Sequence, residues 1–437
     1  MRRLQPRIAD HGCGAALLGP IRPIVPARHP RDRLRPHRTR RCRRARRRAG
    51  PSRGSPRTWR CHHGSPARAE VVVPDFRPPV RDDLAGITAY GAPQLEVDVR
   101  LNVNENPFPP SAELARDIAA NVERAVASLN RYPDRDFLRL RQDLAEYLAG
   151  ESGVYLEPEQ IWAANGSNEV MAHVMAAFGG PGRRALSFPP SYSMYPEYAR
   201  ESFTELIEVP RAEDFTVDTA AALAAIDEHR PALVLVASPN NPSGTALPIG
   251  ELTELAQAAA QVGAVLVVDE AYAEFRHSGT PSALTLLADH PNVIVTRTMS
   301  KAFAMAGARV GYAAAAPSLI DALTIVRLPY HLSAITQAVA STALAHAREL
   351  QQGLDVLRIE RDRLVAALRE RGLTVPESDA NFALFGVFDD RHAIWRALLD
   401  RGVLIRETGP AGWLRVTVGT PEENARFVAA LDEVLQP

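Results

Sequence analysis

From about residue 110 onward, apolar positions follow two alternating patterns. Spacings of three and four predict helices over 111–128, 136–149, 167–178 and 249–261. Among these stand short, wholly apolar runs: LVLVA at 233–237, VLVVD at 265–269 and VIVT at 293–296. A strand with no polar face is covered on both sides, so such runs alternating with helices predict a mostly parallel central sheet flanked by helices. Past residue 317 the order changes. Helices over 317–327, 333–349 and 354–371 lead to strands near 382–388, 403–406 and 413–418 and a closing helix at 421–435. Helices gathered beside a few strands predict a smaller α+β domain. The fold class is therefore α/β. The expected organisation is an N-terminal arm with part of the small domain over 71–130, a large domain over 131–330 and a C-terminal small domain over 331–437. No apolar run approaches the ~20 residues a membrane helix needs, which points to a soluble, cytoplasmic body.

Residues 1–70 show neither period and change the reading of charge. They carry 20 Arg, no Lys and three acids, a balance of +17, against −17 for residues 71–437. All three cysteines (Cys13, Cys42, Cys61) lie in this leader. The body therefore has no disulfide framework, thiolate nucleophile or cysteine-based zinc cluster, and no metal site is expected. A segment so poor in apolar residues cannot offset its conformational entropy and is expected to be disordered, or to reflect a start assigned too far upstream. A transit peptide shares the composition but not the amphipathic pattern. A nucleic-acid-binding arm lacks the interleaved aromatics and the motif it would need.

Of the 51 basic residues, 50 are arginine and one is lysine, Lys301. A guanidinium does not lose its proton, whereas a buried lysine amine does so readily and can attack a carbonyl carbon. Its surroundings fit that chemistry, because ligands of parallel α/β sheets collect beyond the carboxyl ends of strands. Ser238-Pro239-Asn240-Asn241-Pro242-Ser243-Gly244 follows the first apolar run, and Asp269-Glu270-Ala271-Tyr272 closes the second. Arg297-Thr298-Met299-Ser300-Lys301 follows the third, with Arg309 eight residues beyond the lysine, and Asn165-Gly166-Ser167-Asn168-Glu169 opens a helix. Each cluster alone has a bland alternative, a helix cap or a turn. Together they fit pyridoxal 5'-phosphate. Lys301 would hold its aldehyde, Asp269 would keep the ring nitrogen protonated, and Asn241 and Tyr272 would bond the ring hydroxyl. Ser167 and Asn168 at a helix N-terminus, with Thr298, Ser300 and Arg309, would hold the phosphate. Tyr192 would stack on the ring, unless it is a core aromatic.

These motifs, in the order SPNNPSG, DEAY and TMSK with an arginine at +8, resemble the fold-type-I aminotransferases of classes I and II. LNVNENPFPP (101–110), NRYPD (130–134), PPSYSMYP (189–196) and LRVTVGT (414–420) resemble their histidinol-phosphate aminotransferase branch. The resemblance spans about residues 75–435. It implies transfer of an amino group from L-histidinol phosphate to 2-oxoglutarate, a step of histidine biosynthesis. It also implies a homodimer in which Tyr132 reaches the neighbour's cofactor phosphate. Asn104 and Asn106 would lie in an arm over the substrate. Arg415 would grip the substrate anion, and Arg406 would be a second anion contact or a surface ion pair. Phe108 departs from the branch, many of whose members have a tyrosine there. That keeps an aromatic-amino-acid aminotransferase open as the alternative, with a decarboxylase on the same scaffold behind it.

Overall fold

The protein is described by a computed structural model over residues 78–89 and 91–436. The Arg-rich leader, for which disorder is expected, lies outside the described residues. In chain order the strands are β1 (Val99–Arg100), β2 (Ile161–Ala164), β3 (Arg184–Ser187), β4 (Glu205–Glu208), β5 (Leu233–Ala237) and β6 (Val265–Asp269). They continue with β7 (Val293–Thr298), β8 (Gly311–Ala315), β9 (Phe382–Phe385), β10 (Val403–Leu404), β11 (Arg406–Glu407) and β12 (Leu414–Thr417). Seven of them form one sheet in the order β2-β8-β7-β6-β5-β3-β4. From β4 to β7 all neighbours run parallel, and β8 opposes both β7 and β2. The three apolar runs read from the sequence are its middle, β5, β6 and β7, buried along their whole length. Their register sets Ala237 beside Asp269 and Asp269 beside Thr296, so three carboxyl ends open side by side.

Helices follow where periodicity puts them. Ser111 caps Ala112–Val126 by accepting the Leu114 amide, which satisfies one of the helix's orphan donors. Leu138–Ser152, Ser167–Phe178 and Ile249–Val262 match their expected spans within a few residues. The helix expected over 333–349 is shorter: it ends at Ala345, and a new one runs Ala347–Glu370. Between them the His346 ring bonds Asp117 Oδ2 at 2.8 Å, a long-range contact invisible to local periodicity.

A second, antiparallel sheet has the order β11-β12-β9, and β1 pairs in parallel with β10. In the β11–β12 ladder Arg406 faces Arg415. The strand expected over 403–406 is thus two pieces that join different partners. Contacts divide the chain at Ala85, and all three sheets belong to Gly86–Pro437. Among the described residues no helix is long and apolar enough to cross a membrane.

Candidate active site

A cavity of about 470 Å³ opens at the carboxyl ends of β5, β6 and β7 and is lined by Asp269, Tyr272, Thr298, Ser300 and Lys301. This volume is ordinary for a small-molecule site. Lys301 Nζ donates to the Val103 carbonyl at 2.9 Å. Burial, with the nearby Arg415 and Arg309 charges, pulls its amine down to about 8 against the opposing pull of Glu105. An amine tuned this way is nucleophilic near neutrality, as a residue that bonds a carbonyl carbon must be.

Asp269 ends β6 with only 6% of its surface exposed. Burial raises its carboxyl to about 6, against hydrogen bonds from Thr296 and the Ala271 amide. Among the described residues Asp269 forms no ion pair. A desolvated carboxylate lacking a cation is stabilised by whatever places one against it, and a protonated ring nitrogen is such a cation.

The third component is an anion cup. Gly166 precedes the helix Ser167–Phe178, whose first amides are unsatisfied within the helix. Ser167, Asn168 and Arg309 line the same cavity. Thr298 Oγ1 donates to Ser300 Oγ at 3.0 Å, and Arg309 Nη1 donates to Ser300 Oγ at 3.3 Å. Arg309 adopts φ +55°, a strained conformation for a side-chain-bearing residue. Two glycines make room for this. A Cβ on Gly166, at φ +86°, would stand 2.4 Å from Arg309 Nη2, and one on Gly311 of β8 would stand 2.1 Å from the Ser167 nitrogen. A tuned amine, a buried carboxylate awaiting a cation and a cationic cup fit pyridoxal phosphate.

The other expected residues divide. Tyr192, half-buried, lines the cavity and donates to Asn168 Oδ1 at 3.3 Å. Asn241 lines it too and accepts from Arg415 Nη1. Arg415 also donates to the Asn102 carbonyl at 3.0 Å and lies 5.1 Å over the Phe382 ring. Arg406 lines the same cavity. Asn104 is buried at φ +56°, and its Nδ2 donates to Tyr272 Oη at 2.9 Å. Asn106 and Tyr132 are not among the lining residues. Asn106 braces the lysine loop, donating to the Ala302 carbonyl at 3.3 Å. Tyr132 is 79% exposed and stacks on Tyr330 with centroids 4.4 Å apart. Phe108 packs on the core outside this cavity.

Some contributors have no role assigned to them from the sequence, although Asn240 and Arg297 stand in its polar clusters. Asn240, fully buried, builds the turn that carries Asn241 by donating to the Pro190 carbonyl at 3.0 Å and Ser243 Oγ at 2.8 Å. Arg297, inside β7, donates to Glu270 Oε2 at 2.8 Å and Glu151 Oε2 at 2.7 Å. This pairing ties β7 to the residue after Asp269. A charge in an otherwise apolar strand was the available signal, since a buried ion must be paired. Tyr198, which donates to Asn168 Oδ1 at 2.9 Å, left no such signal.

The family described as aminotransferase class I and II matches residues 96–431. The chain belongs to this family. It is 59% identical to the histidinol-phosphate aminotransferase of Thermobifida fusca, over 81% of this chain and 94% of that one. It is 56% identical to histidinol-phosphate aminotransferase 3 of Burkholderia lata, over 82% and 96%. The crystal structure of histidinol-phosphate aminotransferase from Sinorhizobium meliloti, in complex with pyridoxal-5'-phosphate, matches with a TM-score of 0.68 at 28% identity. That match covers 78% of this chain and 91% of the other.

Proposed function

We propose that this chain is a pyridoxal-phosphate-dependent transaminase that moves the amino group of L-histidinol phosphate to 2-oxoglutarate in histidine biosynthesis, giving imidazole acetol phosphate and L-glutamate. The observation that carries the reading is one cavity shared by the sole lysine, a buried aspartate and two facing arginines. The identity to the histidinol-phosphate aminotransferases supports the substrate.

When bound, the cofactor supplies an aldehyde that captures the amine and a ring that accepts the electron pair released at Cα. The chain's residues do the rest. Ser167, Asn168, Thr298, Ser300 and Arg309 would hold the phosphate, Tyr192 would cover the ring, and Asn241 and Tyr272 would bond its hydroxyl. Asp269 would keep a proton on the ring nitrogen. Lys301 would take the proton from the substrate Cα. Arg415, with Arg406, grips the phosphate of one substrate and a carboxylate of the other. These roles lie mostly in residues 131–330 as the cofactor-binding part, with 331–437 supplying the anion grip.

The working unit in this reading is a cytoplasmic homodimer with shared sites. Ile325, Leu328 and Tyr132 are 83%, 76% and 79% exposed. Arg327 links their two segments by donating to the Arg135 carbonyl at 2.7 Å. Apolar groups massed at one place on a surface favour a partner, and a second copy would bring Tyr132 to the neighbour's phosphate cup. Half-reaction spectroscopy of the loaded protein tests the substrate: histidinol phosphate should convert the cofactor's absorbance far faster than phenylalanine. A preference for phenylalanine would overturn the substrate and leave the cofactor standing. Sedimentation at working concentration tests the dimer, and a monomer would refute shared sites.

A further inference from the structure

Tyr272 does not stand alone in the cavity. Its Oη accepts from Asn104 Nδ2 at 2.9 Å, so the phenol's own proton is spent on some other acceptor. Asn104 is in turn over-determined. Thr417 Oγ1 accepts the Asn104 backbone N–H at 3.0 Å and donates to Asn104 Oδ1 at 3.1 Å. Asn381 Nδ2 donates to the Asn104 carbonyl at 3.1 Å. All three residues are nearly inaccessible, at 2%, 3% and 0% exposure. The hydroxyl's donation to Oδ1 orients the amide with its Nδ2 toward the phenol, and the two backbone bonds hold the left-handed φ of +56°. Asparagine tolerates that conformation better than most residues but is not held there by itself.

We propose that Thr417 and Asn381 are positioning residues for the Tyr272 phenol, acting through Asn104; this rests on the cavity being a pyridoxal-phosphate site. Thr417 lies two residues after Arg415 on β12, and Asn381 precedes β9. Phe382, paired with Thr417 in the ladder, packs edge-on to Tyr272 at 5.0 Å and lies under Arg415. The antiparallel sheet thus holds the anion grip and the phenol from one pair of strands. The consequence is electronic as well as geometric. An N–H donated to Oη polarises the O–H and makes the phenol a stronger donor. A phenol that donates to the ring hydroxyl oxygen draws charge from it. That lowers the basicity of the nitrogen joining Lys301 to the cofactor.

The test is the pH at which the visible absorbance of the cofactor-loaded protein titrates. Tyr272→Phe should raise that midpoint, and Thr417→Val should raise it in the same direction by roughly half to one pH unit. Thr417→Ser, which keeps the hydroxyl, should restore it. The double variant should rise no further than Tyr272→Phe alone. Turnover should fall in Thr417→Val while half-saturation by the anionic substrates holds. Asn104→Gly suits the left-handed backbone and removes the amide together with its Cβ, so it should match Thr417→Val in the direction of the shift and serves if that variant does not fold. None of these changes removes the charges around the lysine, namely Asp269, Glu105, Arg309 and Arg415. A midpoint unmoved in both Thr417→Val and Asn104→Gly, beside a shift in Tyr272→Phe, would overturn the positioning role alone. A wild-type protein with no lysine-dependent visible band would end the cofactor reading and the proposal with it.

Discussion

Loss of hydration raises the Asp269 carboxyl from its ordinary 3.8 to about 6. Between those values the folded, cofactor-free protein keeps a proton that the unfolded chain has released. Stability therefore falls as pH rises through that window and stays lowered above it. A tenfold difference in proton affinity between the folded and unfolded chain is worth about 1.36 kcal/mol, so the ionised aspartate costs the cofactor-free protein about 3 kcal/mol at neutral pH. Asp269→Asn removes the ionisation and keeps the shape. Its Oδ1 can still accept from Thr296 Oγ1, which stands 3.2 Å from the present oxygen. Urea unfolding of cofactor-free wild type and variant across roughly pH 4 to 8 isolates the effect. The variant should match the wild type in acid and gain up to about 3 kcal/mol over it by neutral pH. Loading should reverse the order, because only the carboxylate is compensated by a ring cation. A stability difference that does not change with pH, or a cofactor-free variant weaker than wild type at neutral pH, would refute the reasoning.

Lys301→Ala should abolish the visible band and cut turnover by ~10⁴-fold in single-turnover assays, and Lys301→Arg should not rescue it; a working arginine variant would contradict the role. Arg415→Gln should raise half-saturation by roughly 100-fold for both histidinol phosphate and 2-oxoglutarate, and an unchanged value for both would remove Arg415 from the grip. Gly311→Ala puts a methyl group 2.1 Å from the Ser167 nitrogen. That strain, about 1–3 kcal/mol, should appear in a cofactor titration as weakened affinity, whereas equal affinity would mean the cup tolerates displacement.

The middle of the large sheet was legible because β5, β6 and β7 are covered on both faces and so read as unbroken apolar runs. β8 was not. Its sequence, Gly311-Tyr312-Ala313-Ala314-Ala315, has little strand propensity, and its glycine is demanded by the backbone of the helix start beside it. The half-buried edge strand Glu205–Glu208 offered too short a pattern. Chemistry-bearing residues clustered at strand ends were readable for the same reason as the strands, since both follow from chain order. Residues that act from a distance were not. Thr417 reaches Asn104 across 313 positions of sequence, and Tyr147 reaches Glu274 across 127. Only folding makes such neighbours.

The lone lysine, tethered to the Val103 carbonyl inside the cavity, has a practical consequence for handling the molecule. Succinimidyl dyes and aldehyde resins, which ordinarily decorate a protein at many places, find here a surface clad in guanidinium groups and one sheltered target. With no other lysine among residues 1–437, labelling of Lys301 by such reagents should report directly on whether the pocket is open.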